Sequence, residues 1–220
     1  NPYYYSLPST TNFVLQDNLG LSLSISNLEK FSGNIQFQNQ KFNDANTISA
    51  TSFWFLSPGF GKGKVKAKIG YAYESMNAKN DNFTSVKSLP ELIEDFGTTT
   101  SISGFYSSYF TPRNQVIHSA LVAATFTMSP KFTINLTGSY GLSAKWDNPF
   151  LFLNQNDSGE TFVDKDFLTE KFKPATYKAD INYIFSQKFN IGLHYNYFKS
   201  AFFTANTFML NLNYKIINEK

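Results

Sequence analysis

Cysteine is absent from this 220-residue chain, so disulfides, thiolate metal sites and cysteine nucleophiles are excluded. Histidine occurs only at His118 and His194, too few to build a histidine-based metal centre. Charge is sparse: charged residues are 16% of the chain and the net charge is +3, which leaves no electrostatic footprint for nucleic acid. No run of about 18 uncharged apolar residues occurs, so a transmembrane helix is not expected. Mean hydropathy is −0.28, again too low for a helical membrane protein. The chain opens at Asn1 with neither methionine nor a signal-peptide pattern, and is expected to be a mature or truncated product.

What the chain has instead is aromatic residues and alternation. Phe and Tyr number 24 and 13. In 131–140, Phe132, Ile134, Leu136 and Tyr140 alternate with Thr133, Asn135, Thr137 and Ser139. In 188–197, Phe189, Ile191, Leu193, Tyr195 and Tyr197 alternate with Asn190, Gly192, His194 and Asn196. A period of two means strand, because successive Cβ atoms point to opposite faces. The same pattern recurs around 19–26, 34–38, 47–56, 65–74, 116–128, 177–185 and 208–216.

Ser57-Pro58-Gly59, Ser129-Pro130-Lys131 and Ser186-Gln187-Lys188 read as short turns. Two connections are long, 77–115 and 146–173. The first contains a helix signal, with Ser88 as cap, Pro90 in the first turn and Gly97 as stop. Residues 1–12 read as a linker or a frayed strand. Alternately short and long connections between strands of this kind predict an all-β fold. The expectation is a single antiparallel transmembrane β-barrel domain over 1–220, a meander of about 8–10 strands, closed by itself or part of a larger barrel. The long connections would be extracellular loops.

This arrangement places Phe126, Phe132, Phe185 and Phe189 at the short-turn ends of strands. Tyr71, Tyr73, Tyr140, Tyr177, Tyr195 and Tyr197 fall at the other ends, so two lipid-facing aromatic belts are expected. From Phe189 to Tyr197 is about 27 Å along a strand, or roughly 20 Å of depth once tilted, close to a barrel's apolar band. A soluble sandwich or lipocalin-like barrel also alternates, but would carry charge outside. Here the polar positions are mostly Ser, Thr, Asn, Gln and Gly.

Lys64, Lys66 and Lys68 occupy alternate positions of one strand. Facing lipid at the midplane, each would cost about 2–4 kcal/mol, so they are assigned to the lumen. Parity adds Glu74, Asn135, Lys178, Asp180, His194, Asn211, Asn213 and Lys215 to the lumen-lining set. Asp180 and Glu74 are the expected partners of Lys178 and Lys215. These charges either form a cationic wall that favours anionic or hydroxyl-rich solutes, or pair and plug the barrel.

His118 and His194 have no carboxylate motif beside them, and read as hydrogen-bonding residues of a polar lumen. No catalytic constellation or nucleophile elbow is found, so no enzyme activity is expected. Asp157, Glu160, Asp164 and Asp166 match no EF-hand spacing and read as a solvated acidic loop rather than a calcium site. Gly59-Phe-Gly-Lys-Gly63 lies between strands and reads as a turn, not a phosphate loop. No cofactor or metal is expected.

Tyr109, Phe110, Pro112, Asn114 and Gln115 form an aromatic-rich loop leading into a strand. Ser129 and Pro130 follow as a turn, then Gly138, Tyr140 and Gly141 end the next strand. This order resembles the C-terminal β-barrel of tetratricopeptide-repeat outer-membrane proteins related to bacterial exopolysaccharide (cellulose-type) exporters. The stretch 64–75 and the strands within 177–198 are similar too, so the resemblance covers about two thirds of the chain. Two departures stand out. No helical repeats precede the strands, and the last strand ends on Tyr214 and Ile216 with a polar tail.

The resemblance implies a Gram-negative outer-membrane location and a barrel of around sixteen strands. It also implies export or passage of a hydrophilic polymer or solute, polysaccharide above others. Expected partners are outer-membrane lipid, polysaccharide and other outer-membrane subunits. The alternative is a small closed barrel serving as a structural anchor or subunit of an assembly, since about eight strands leave room only for side chains.

Overall fold

The computed structural model describes residues 13–26, 30–95 and 102–216. Its strands are β1 Gln16–Ser26, β2 Ser32–Phe42, β3 Thr47–Leu56, β4 Val65–Ala78, β5 Phe83–Ser85 and β6 Gly104–Tyr106. They continue with β7 Gln115–Ser129, β8 Phe132–Gln155, β9 Thr161–Phe172, β10 Ala175–Ile184, β11 Phe189–Lys199 and β12 Thr204–Tyr214. One helix, α1, covers Leu89–Asp95. The fold is antiparallel all-β.

Nine strands follow one another through one sheet in the order β1-β2-β3-β4-β7-β8-β10-β11-β12, with β9 joined to β8 as a tenth. β5 and β6 form a separate ribbon. Among the described residues β1 and β12 do not pair with each other, so both remain sheet edges.

The short turns share one device. The Lys188 and Phe189 amides donate to Ser186 Oγ, and the Phe202 and Phe203 amides donate to Ser200 Oγ. Serine thereby replaces a backbone acceptor where the chain reverses. The 57–64 turn depends on glycine. Gly61 has φ +116, and a Cβ there would lie 2.4 Å from the Val65 carbonyl oxygen.

The two long connections are more ordered than the sequence suggests. The segment 146–173 is mostly a β-hairpin, in which β8 runs for 24 residues and its far half pairs with β9. Pro149 is tolerated there because β8 stops pairing with β7 beyond Lys145. In 77–115, α1 begins with one half of a capping box: the Ser88 amide and hydroxyl both donate to the Glu91 carboxylate. The expected stop, Gly97, lies outside the described residues.

The packed core sits at the same end as these segments. Val14, Phe42, Ile48 and Tyr109 are buried together, with Met76 and Ala78 against them. Tyr109 is fully buried, stacks on Phe42 with ring centroids 3.9 Å apart, and donates its hydroxyl to Asp44 at 2.7 Å.

Candidate functional site

Register converts the alternation into two faces. One cross-strand row runs Lys66, Thr125, Asn135, Asp180, His194, Met209. The next runs Lys68, Ala123, Thr137, Lys178, Asn196, Thr207, and a third runs Gly70, Leu121, Ser139, Thr176, Phe198, Ala205. Toward the short turns lie Thr127, Thr133, Asn182, Gly192 and Asn211, then Asn190 opposite Asn213. Glu74 belongs to the same face, opposite Ser52 and Ile117. Lys64 and Lys215 lie just outside β4 and β12, where the Lys64 carbonyl accepts from Thr127 and the Lys215 amide donates to Lys188.

The other face carries Tyr71, Tyr73, Phe126, Phe132, Tyr140, Tyr177, Phe189, Tyr195 and Tyr197, by the same registers. Phe185 follows β10, and its ring meets Tyr183 and Phe189. The edge strands leave this face bare: Leu19 is 78% exposed, Leu21 71%, Phe208 72% and Leu210 61%.

The polar face is the concave one. Glu74 on β4 and Phe198 on β11 border one cavity of about 240 Å³. On a flat sheet four strand spacings, about 19 Å, would separate them. Curling the sheet with the polar rows inside brings them together. The cavity is roofed by Phe110, Trp146 and Phe202, which come from three segments and meet edge to face or tilted, at centroid distances of 5.0–6.0 Å. Trp146 is buried, and its indole N–H has no acceptor.

Two readings of the histidines change here. His118 is not on the polar face. It follows Val116 and precedes Ala120 on the apolar side, where its Nδ1 bonds the Tyr71 hydroxyl and its ring meets Tyr73 edge-on at 5.2 Å. His194 does have a carboxylate beside it: Asp180 lies directly across on β10 and pairs with Nδ1. Asp180 is therefore engaged by His194, and Lys178 and Glu74 have no ion pair among the described residues. Lys68 leans the other way, its ammonium donating to Ser32 Oγ at 3.2 Å.

The far hairpin is tied to the roof. The Arg113 guanidinium lies 3.7 Å over the Phe167 ring, Lys165 pairs with Asp81 at 2.6 Å, and Asn114 donates to Asp147 at 2.7 Å. Hydrogen bonds from Asn114 and then Thr169 hold the Asp147 carboxyl below its usual range. At the hairpin tip, Asn154 donates to Asp164 and Asn156 donates to Glu160. No three potential metal-ligating side chains converge among the described residues.

Trp54, Trp146, Phe198 and Phe202 were not singled out from sequence, and Phe110 only as part of the aromatic-rich loop. For Trp54 and Phe198 the signal was present, since each is an aromatic at a polar-face position of its strand. No family model matches the chain, and no curated protein is similar to it.

Proposed function

We propose that this chain forms the wall of a bacterial outer-membrane β-barrel that passes or exports a hydrophilic solute or polymer. Polysaccharide is favoured by the family resemblance alone. The observation that carries the reading is the partition of faces, with apolar and aromatic rows bare on the convex side and hydroxyl, amide and lysine rows inside. A soluble protein rarely leaves an apolar surface of this extent in water. Hydrocarbon supplies the missing contact. Inside, hydroxyl and amide groups replace water around the solute, and Lys64, Lys66 and Lys68 set its charge preference.

The edges bear on size. In a bilayer every backbone polar group needs a partner, so β1 and β12 require completion. All steps from β1 to β12 are antiparallel, so these two strands run in the same direction. An odd number of further strands would complete an antiparallel wall; without them one parallel seam is needed. The second reading is a structural anchor with a filled interior. The packed roof around Tyr109 and Trp146, which fills one end of the concave face, favours it.

Single-channel recording in planar bilayers tests the proposal. The expected result is an open pore whose anion preference falls when Lys64, Lys66 and Lys68 are replaced together by Gln. Inserted protein that never conducts would reject passage in favour of the anchor. Unchanged selectivity would remove the lysines from the conduction path.

A further inference from the structure

A second feature lies on the apolar face, at the end carrying the long segments. Lys145 of β8 and Lys171 of β9 are direct cross-strand partners, and both are exposed. Lys173 follows two residues later, also exposed, in the link to β10. Like charges placed opposite each other in a ladder destabilise it. None of the three forms an ion pair among the described residues.

Asp147, two residues on from Lys145 on that face, feels the Lys145 charge but is already hydrogen-bonded by Asn114 and Thr169. Val116 lies opposite Lys145, and one step below come His118 and Ser143, then Ala120 and Tyr140. Tyr71 and Tyr73 border His118. The lysines therefore stand directly above a cluster of tyrosines and a histidine, the order in which headgroup and acyl boundary succeed each other at a membrane interface.

We infer that Lys145, Lys171 and Lys173 bind the phosphate of an anionic lipid in the outer leaflet, with the acyl chains lying along the apolar rows below. This rests on the membrane reading. A phosphate between Lys145 and Lys171 relieves their repulsion, and exposed Lys145–Lys171 pairing across the ladder then has a use. The patch is separate from the concave lysines, which face the other way.

The test uses the full chain in nanodiscs of phosphatidylcholine containing phosphatidic acid as minor lipid. Flotation first establishes insertion; failure to insert rejects the membrane reading and this inference together. Lipid retained after detergent extraction is then counted by mass spectrometry. Phosphatidic acid should be enriched over its bulk share, and Lys145→Gln with Lys171→Gln should reduce that enrichment at least about fivefold, the effect of losing a surface lysine or more.

Lys41→Gln, which changes an exposed lysine on the same face of β2, four strands from β8, should leave enrichment unchanged. Equal loss in both variants, or none in either, overturns the inference while the barrel stands. Displacement of the lipid by inorganic phosphate at matching concentration assigns the patch to a free anion and overturns the lipid.

Discussion

Leu193→Lys puts the assignment of faces to its most direct test. Leu193 stands four residues from both Phe189 and Tyr197 in β11, between Ile181 of β10 and Leu210 of β12. Four residues correspond to about 13 Å of strand, or about 10 Å of depth at a typical barrel tilt, which in the proposed barrel puts Leu193 near the midplane. An ammonium at that depth costs about 2–4 kcal/mol. The folding equilibrium should shift about 30- to 700-fold.

Asn135→Lys is the matched control. Asn135 lies on the opposite face, and the substitution removes one hydrogen bond from Thr125 at 2.9 Å. That loss costs about 0.5–1.5 kcal/mol, and Asp180 directly across the ladder offers the new ammonium a counter-charge. Urea-dependent folding into phosphatidylcholine vesicles, scored by gel mobility of the folded band, measures both. Equal losses, or a larger one for Asn135→Lys, would refute the orientation of the sheet.

Two more outcomes are expected. Tyr109→Ala should destabilise the protein by about 3–5 kcal/mol, because the ring is fully buried on Phe42. Tyr109→Phe should cost only the charged hydrogen bond to Asp44, about 1.5–3 kcal/mol, in the same urea titration. The depressed Asp147 carboxyl contributes stability that is complete above its unfolded value of 3.8 and is lost as pH falls through the lower folded value. Trp146 fluorescence, in a Trp54→Phe background, should therefore change only on acidification below about pH 4. In Asn114→Ala, which removes the largest cause, the transition should move upward; an unmoved transition would sever Asp147 from it.

Parity was the most legible property of this chain. It separates Ile134 from Asn135 and Leu193 from His194 without any knowledge of neighbours, because a pleated strand has only two sides. It fails where the chain lacks a dominant period. In β9, Thr161–Phe172 carries Asp164, Lys165, Asp166 and Glu170 with Phe162 and Phe167 on opposite faces, so no apolar row declares a strand. Pro149 further obscured the far half of β8.

Long-range contacts were invisible for another reason. Nothing local to Tyr109 specifies Phe42 and Asp44, which lie far away in sequence and reach it only through the roofing segment. His118 shows the cost of reading by residue type: its polarity suggested the interior, while its position between Val116 and Ala120 required the other side. Pairing of Asp180 with His194 needed the β10–β11 register, which sequence spacing alone left open.

The length of β8 has a mechanical consequence. At 24 residues it extends about 80 Å, between two and three times the roughly 30 Å of a hydrocarbon layer. Its far half, paired with β9 and no longer with β7, is a stalk extending past the rest of the sheet. The Lys165–Asp81 and Arg113–Phe167 links fasten that stalk to the segment that roofs the concave face. A load on the Asn156–Glu160 tip is thus delivered to the roof as leverage, with the long strands of the sheet left at rest.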